Sequence, residues 1–376
     1  MSSFYEEYLK IDREENLGLT ELMDESYAGA VLEKEEISYR DLLVLLSPAA
    51  SKFLDPMAIR AKRLTDKHFG KNINLYIPIY LSNECTGSCV YCGFNRSGSI
   101  KRRTLTPDEI RVELAEIASQ GFRHVLILTG DAPMRATVDY IAEAIKIARE
   151  FMPQVSLEIY PMDAGDYHRL VEAGATGLTI YQETYDRETY ARVHPAGKKR
   201  DFIYRLGTPD RALQAGFRRV GIGALLGLHD WREEAAYVGM HEKYLMKRHW
   251  QADVSISFPR LRDSMSGFRP FVEVTDRDLV QMILALRIFL DRVGITISTR
   301  ESTIFRDNMV GYGVTMMSAG SRTNPGGYAL YEENNSGCQF EIEDSRSVPE
   351  VITMIRERGY YPVFKDWDGS FGGIER

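Results

Sequence analysis

The sequence predicts an α/β protein built as a TIM-type (β/α) barrel, with a helical extension before the barrel and a second extension after it. Three observations carry that expectation. Short apolar runs alternate with amphipathic stretches along most of the chain, the order of a parallel sheet whose crossovers are helices. Glycines able to close a helix recur just ahead of strand patterns, in Gly121-Phe122-Arg123-His124, Ala173-Gly174-Ala175-Thr176-Gly177 and Ala215-Gly216-Phe217-Arg218-Arg219. The number of these units favours a closed or nearly closed barrel over an open doubly wound sheet, and either places the chemistry at the C-terminal ends of the strands.

In chain order, residues 1–70 read as the N-terminal helical extension: Tyr39 to Leu46 is apolar and periodic, and Ala58 to His68 is rich in strong helix formers. The run from Ile73 to Leu81, β-branched and aromatic, is the candidate first strand of a barrel expected over residues 71–320. Further strands are expected near His124–Leu128, Val155–Tyr160, Gly177–Gln182, Arg219–Ala224, Val254–Phe258 and Ile295–Thr299. Helices fall between them, among others Pro107 to Ala118 behind Thr106 as N-cap, and Asp276 to Val293 with Leu279, Ile283, Leu284 and Ile288 on one face. Residues 321–376 are the C-terminal extension, expected to pack on the barrel.

Composition excludes several classes. A hydrophobic content of 44%, a charged content of 27% and 30 Gly against 14 Pro are those of an ordinary globular protein, not of a collagen-like or disordered chain. With 47 basic and 54 acidic residues, the net charge of −7 has the wrong sign for coating a phosphate backbone or an anionic membrane. No run approaches the roughly 18 apolar residues of a membrane span. The start, Met1 to Glu7, lacks a basic end followed by an apolar stretch, so the expected location is cytoplasmic.

Of the four cysteines, three lie within eight positions, Cys85-Thr-Gly-Ser-Cys89-Val-Tyr-Cys92, on the loop that follows the first strand. In a reducing compartment such crowding points to metal before disulfide. Three thiolates on a Gly-containing loop suit three corners of a 4Fe-4S cube and leave one iron open, the mark of a catalytic site. The alternative is a Cys3His zinc site with His124 or His194 as fourth ligand, although zinc prefers paired Cys-x-x-Cys knuckles and no second knuckle exists. Cys338, alone between Gly337 and Gln339, reads as an ordinary thiol.

The pattern Cys-x3-Cys-x-aromatic-Cys after a first strand resembles the signature of the radical S-adenosylmethionine (SAM) superfamily. The resemblance implies that Cys85, Cys89 and Cys92 hold a 4Fe-4S cluster whose open iron chelates SAM, and that Tyr91 lies beside the adenine. It further implies that Thr129, Gly130 and Asp131 receive the SAM amino group, that Glu183 binds the ribose hydroxyls and that Arg205 pairs with the SAM carboxylate. Gly221-Ile-Gly223-Ala-Leu-Leu-Gly227 does not have dinucleotide-fingerprint spacing; it resembles the superfamily's fifth-strand glycine segment, where Gly223 would let the adenosine approach the backbone.

A narrower resemblance, nearly end to end, is to the tyrosine lyases of bacterial thiazole biosynthesis. Tyr80-Leu-Ser-Asn-x-Cys85, Tyr181-Gln-Glu-Thr-Tyr185, Gly197-Lys-Lys-x-Asp201-Phe202, Ser257-Phe-Pro-Arg-Leu-Arg262, Ser298-Thr-Arg-Glu301, Asn324-Pro-Gly-Gly-Tyr328 and Lys365-Asp-Trp-Asp368 carry it. It implies cleavage of the Cα–Cβ bond of L-tyrosine to 2-iminoacetate and p-cresol, with thiazole synthase as protein partner and flavodoxin or ferredoxin as electron donor. Arg260, Arg262 and Arg300 lie where a guanidinium clamps a carboxylate; Arg300 is the expected ligand of the tyrosine carboxylate, with Ser257, Glu301 and Ser318 as polar lining. The competing readings are the lyase that matures iron-only hydrogenase, whose Cys-x-x-Cys tail is not matched after Cys338, a tryptophan lyase, and a non-enzymatic iron-sulfur or zinc protein.

Overall fold

A computed structural model describes residues 3–11, 24–261, 267–330 and 337–365. Eight strands, β1 (Asn72–Ser82), β2 (His124–Thr129), β3 (Gln154–Glu158), β4 (Gly177–Thr179), β5 (Arg219–Gly223), β6 (Asp253–Ser257), β7 (Gly294–Ile297) and β8 (Met316–Ser318), run in sequential order. β1 pairs with both β2 and β8, which closes the ring, and every pairing is parallel. The expected barrel is therefore present and closed. A ninth strand, β9 (Tyr361–Val363), pairs in parallel with the first residues of β1, Asn72 opposite Tyr361.

Local chemistry explains the elements. Helix Pro107–Ser119 starts in a capping box in which Thr106 accepts from the Glu109 N–H and Glu109 answers at the Thr106 N–H. Gly121, Gly174 and Gly216 sit at φ of 93°, 113° and 107°, the left-handed region that lets each helix stop and the next strand begin. The helix expected to reach Val293 ends at Phe289, and the third and fourth strands stop at Glu158 and Thr179. Met316–Ser318 was not foreseen as a strand, since three residues are too short for any periodicity to register.

In the N-terminal region, helices Tyr39–Leu46 and Leu54–Phe69 pack on the outside of the barrel. The Gln281 amide donates to the carbonyls of Leu45 (2.9 Å) and Ser47 (2.8 Å), satisfying the end of the first of them inside the core. Residues Phe4–Tyr8 form a short helix that reaches the active end of the barrel. The Phe4 ring stacks on His241 with centroids 3.8 Å apart, and the Tyr8 hydroxyl donates to the Tyr185 carbonyl at 2.8 Å. Among the described residues, no single helix is long and apolar enough to cross a membrane.

The C-terminal region is tied to β8 by a fully buried ion pair. Arg306 bonds to Asp344 and to the Ser318 carbonyl, while Asp344 also accepts from Arg346 at 2.7 Å. Removing one partner of such a pair strands the other charge in the interior. Asp344→Ala is expected to cost about 3–5 kcal/mol of stability, measured by guanidinium denaturation, far more than an exposed acid-to-Ala change.

Candidate active site

The C-terminal ends of the strands surround one cavity. Its wall takes Tyr76, Pro78 and Tyr80 from β1, Glu158 from β3, Tyr181 and Glu183 from the segment after β4, Ser257 from β6, and Ser318 from β8. Lys199, Ser298, Arg300, Gln339 and Phe340 close it from the loops. The three cysteines sit on the loop that leaves β1, and Cys92 lines the cavity.

The cysteine loop is held by its own backbone and by neighbours. The Thr86 N–H and hydroxyl both donate to the Asp131 carbonyl (2.8 Å each), the Val90 N–H to the Val193 carbonyl (3.1 Å), and Arg102 ties Asn83, Phe94 and Asn95 together through their carbonyls. The sulfurs accept N–H donors: Gly87 to Cys85 at 3.3 Å and Phe94 to Cys92 at 3.4 Å. A methyl group on Gly87 would stand 3.4 Å from the Cys85 sulfur and 3.8 Å from that of Cys89, so both thiols turn to the same side of the loop. Burial pushes all three thiols up, Cys89 to about 11, so they are protonated at neutral pH and loading with iron releases protons.

Both histidines of the zinc reading are otherwise engaged, which corrects that expectation. His194 Nδ1 lies 2.9 Å from the Tyr190 carbonyl and must donate to it, so Nε2 is the acceptor of the Tyr91 hydroxyl at 2.8 Å. Burial, helped by Lys199 and Arg205, drives His194 down to about 2, which keeps it neutral. His124 begins β2, at the opposite end of the barrel, and bonds to Ser156 at 2.8 Å. Among the described residues, no three His, Cys, Asp or Glu side chains converge to hold a single ion.

Glu183 has φ of 72°, the one positive value at a non-glycine among the described residues. This conformation costs of the order of 1–3 kcal/mol and has to be imposed by its surroundings. The Leu225 N–H donates to the Glu183 carbonyl at 2.7 Å, while the Glu234 carboxyl group accepts from the Thr184 hydroxyl and from the Tyr185 N–H (2.9 Å). The Glu183 carboxylate meets Lys199 at 2.5 Å and Arg205 at 3.3 Å. Burial pushes this carboxyl group up, but the two cations outweigh it and hold Glu183 below the usual carboxylate range.

Glu234 braces that turn, and burial raises it from 4.5 to about 7 against the pull of its two donors and of His229. The folded state thus keeps a proton that the unfolded chain has lost. Its contribution is whole below the unfolded value and disappears as pH rises through the folded one, a loss of up to about 3 kcal/mol. Glu234→Gln is expected to flatten this loss, so that the wild type weakens more than the variant between pH 5 and pH 8 in urea titrations.

The sequence-predicted residues come together with some exceptions. Ser257, Ser318 and Arg300 line the cavity, Tyr91 and Glu183 bound its cysteine side, and Thr129, the last residue of β2, with Gly130 and Asp131 lies beside the cysteine loop. Glu301 is absent from this wall, and its carboxylate is held by the Arg260 guanidinium, whose Nε lies 2.9 Å away. Arg260 itself also binds the Val274 carbonyl and Asp276, so it fastens the loop after β6 instead of clamping a substrate. Arg262, and the last three residues of Lys365-Asp-Trp-Asp368, lie outside the described residues. At Gly223 a Cβ would fall 1.9 Å from the Ser257 carbonyl oxygen, so the barrel itself requires glycine there. Arg205 is directed by the Tyr181 carbonyl (2.7 Å) and Glu183, a partner set that the sequence did not suggest.

Sequence reasoning missed four contributors. Lys199 joins Glu183 to the cysteine side, its ammonium 5.6 Å from the Tyr91 ring centre; only its place in Gly197-Lys198-Lys199 hinted at it. Glu158 is the carboxyl group that ends β3, at the active end of the barrel, and its place there is a usable signal. It faces the cavity, and burial with the nearby Glu183 raises it to about 7. Gln339 and Phe340 arrive from the C-terminal region: the Gln339 amide reaches Cys92, and the Arg300 guanidinium lies 3.4 Å from the Phe340 ring centre.

Comparison with known proteins agrees with this geometry. Residues 79–237 match the radical SAM superfamily, and residues 257–361 match the biotin and thiamin synthesis associated domain. The chain is 41% identical over 342 residues to 2-iminoacetate synthase of Escherichia coli (strain K12), covering 91% of this chain and 90% of that one. It is 40% identical over the same shares to the enzyme of that name from Salmonella typhimurium. The FeFe-hydrogenase maturase HydG from Carboxydothermus hydrogenoformans superposes with a TM-score of 0.84 at 30% identity, covering 96% of this chain and 83% of that structure.

The residues present fit the superfamily's two cofactors, a 4Fe-4S cluster and SAM. The donor set is three thiols on one loop, two of which, Cys85 and Cys92, already accept N–H donors, a set that suits iron-sulfur. Beside it, Asp131 Oδ1 and Thr129 Oγ1 are enclosed without a hydrogen-bond partner among the described residues, and burial raises Asp131. An ammonium group bound there would satisfy both atoms. Structure, donor chemistry and 41% identity over 91% of the chain agree that this protein belongs to the 2-iminoacetate synthase family of radical SAM enzymes.

Proposed function

We propose that this enzyme cleaves the Cα–Cβ bond of L-tyrosine to 2-iminoacetate and p-cresol, supplying the imine to thiazole formation for thiamine. The observation that carries the reading is the pairing of near full-length identity to 2-iminoacetate synthases with a cavity whose lining combines Arg300 with Tyr76, Tyr80 and Tyr181. When bound, the cluster and SAM supply a hydrogen-abstracting 5′-deoxyadenosyl radical.

The chain's own residues bind, orient and exclude water. Cys85, Cys89 and Cys92 hold the cluster; Asp131, with Thr129 and the backbone of Gly130, receives the SAM amino group. Glu183, kept ionised by Lys199 and Arg205, accepts from the ribose hydroxyls, and Tyr91 presents its ring to the adenine with its proton committed to His194. Arg205 keeps nitrogen positions for the SAM carboxylate beyond its bonds to Tyr181 and Glu183. Arg300, placed against Phe340, binds the tyrosine carboxylate, while Ser257 and Ser318 bond the hydroxyls of Tyr181 and Tyr76 that shape the aromatic slot. Enclosure by the barrel and the C-terminal region keeps water from the fragments.

We place the enzyme in the cytoplasm, with thiazole synthase receiving the unstable imine and a flavodoxin or ferredoxin delivering electrons; the uncrosslinked cysteines suit a reducing compartment. The test is anaerobic. The reconstituted protein, given dithionite, SAM and L-tyrosine, is expected to form p-cresol and 5′-deoxyadenosine together, with glyoxylate from hydrolysis of the imine. 5′-Deoxyadenosine without p-cresol would overturn the substrate, and cyanide or carbon monoxide in place of glyoxylate would move the enzyme to the hydrogenase-maturation reading.

A further inference from the structure

The cluster loop is touched from an unexpected direction. Gln339, 247 positions along the chain from Cys92, brings its Nε2 to 3.7 Å from the Cys92 sulfur. The Tyr80 hydroxyl donates to Gln339 Oε1 at 2.8 Å, and in this orientation the NH2 points toward the sulfur. The opposite flip would aim a carbonyl oxygen at a thiolate. The segment cannot drift, because the Gln339 N–H donates to the Thr323 carbonyl at 3.0 Å and the Thr323 hydroxyl to the Phe340 carbonyl at 2.9 Å. On the cluster side, Gly93 is crossed so closely that a Cβ there would lie 2.3 Å from the Gln339 carbonyl oxygen. The next residue, Phe340, supports Arg300, so one short segment touches both a cluster ligand and the arginine at the other side of the cavity.

Resting on the cofactor reading above, we propose that Gln339 is a positioning residue for the electron-transfer step: its N–H bond to the Cys92 sulfur raises the cluster's reduction potential, and the seating of the C-terminal segment over the cavity thereby favours reduction. The physical reason is general. When a 4Fe-4S cluster takes one electron from a low-potential donor, the added negative charge spreads onto its sulfur ligands, and an N–H donor stabilises the reduced form more than the oxidised one. The backbone N–H of Phe94 makes such a bond locally; Gln339 makes it conditional on residues 337–340 being in place.

The experiment is a redox titration of the reconstituted holoprotein followed by electron paramagnetic resonance, without SAM or tyrosine, so that it does not depend on the lyase assignment. Gln339→Leu is expected to shift the midpoint to a more negative value at unchanged iron and sulfide content, and Tyr80→Phe, which releases the amide from its orientation, to shift it the same way by less. An unchanged midpoint in a fully loaded Gln339→Leu sample would overturn the proposal. In the wild type, side-chain 15N-labelled glutamine is expected to show a hyperfine coupling to the reduced cluster that persists in protein whose other glutamines are unlabelled by suppression; its absence would overturn the proposal even if both variants failed to load. Failure of the wild type to assemble any 4Fe-4S cluster would instead overturn the cofactor reading.

Discussion

Cys89→Ala is expected to abolish both cluster loading and product formation, the largest effect of any single substitution in the chain. Cys89 is the most enclosed of the three cysteines, 6% exposed, packed with Tyr91, Val193, Leu225 and Leu228. Its burial means that no solvent ligand easily replaces the lost thiolate, and two remaining cysteines cannot retain a cube that needs three protein corners. The fold should survive, because the loop is held by Thr86 on Asp131, Val90 on Val193 and Arg102 on three carbonyls, none of which involves the sulfur. The measurement pairs iron and sulfide content with p-cresol formation and a thermal melt. Loss of the first two with an unchanged melt is expected; p-cresol production at more than a trace would remove Cys89 from the ligand set.

What the sequence reveals and what it hides follow from where each signal resides. The barrel is legible because each β-α unit carries its own local marks: Gly121, Gly174 and Gly216 end helices before strands, and Thr106 and Thr275 begin them. The cysteine triplet is legible because its chemistry is contained in eight consecutive residues. The partners of Glu183 are not, since Lys199 and Arg205 meet it only after two short helical turns fold back across the loop that follows β4. Gln339 and Phe340 are further removed, and a polar residue followed by an aromatic in an irregular region has no periodicity to betray it. Glu301 shows the same limit: Arg300 beside it lines the cavity, while the Glu301 carboxylate is held by Arg260, 41 positions back, a pairing that no local pattern marks.

Arg300 is where substrate choice should be most exposed to mutation. Its backbone N–H is fixed on the Ser298 hydroxyl at 3.3 Å and its guanidinium lies against Phe340, so the planar group is directed before any substrate arrives. A guanidinium so placed offers a carboxylate two parallel N–H donors, and a charge-assisted pair of this kind, enclosed away from bulk water, is worth about 2–5 kcal/mol when truncated. Arg300→Ala is therefore expected to lower kcat/KM for L-tyrosine by roughly 30- to 5,000-fold. Arg300→Lys keeps the charge but loses the planar fork and the stacking on Phe340, and should recover only a part. Because no contact between Arg300 and the three cysteines is recorded among the described residues, iron content should be unchanged in both variants. The discriminating substrate is tyramine, which lacks the carboxylate: if Arg300 holds that group, the Ala variant should lose its preference for tyrosine while its slow handling of tyramine stays as in the wild type. An equal loss on both substrates would place Arg300 in the support of the cavity and not in recognition of the amino acid.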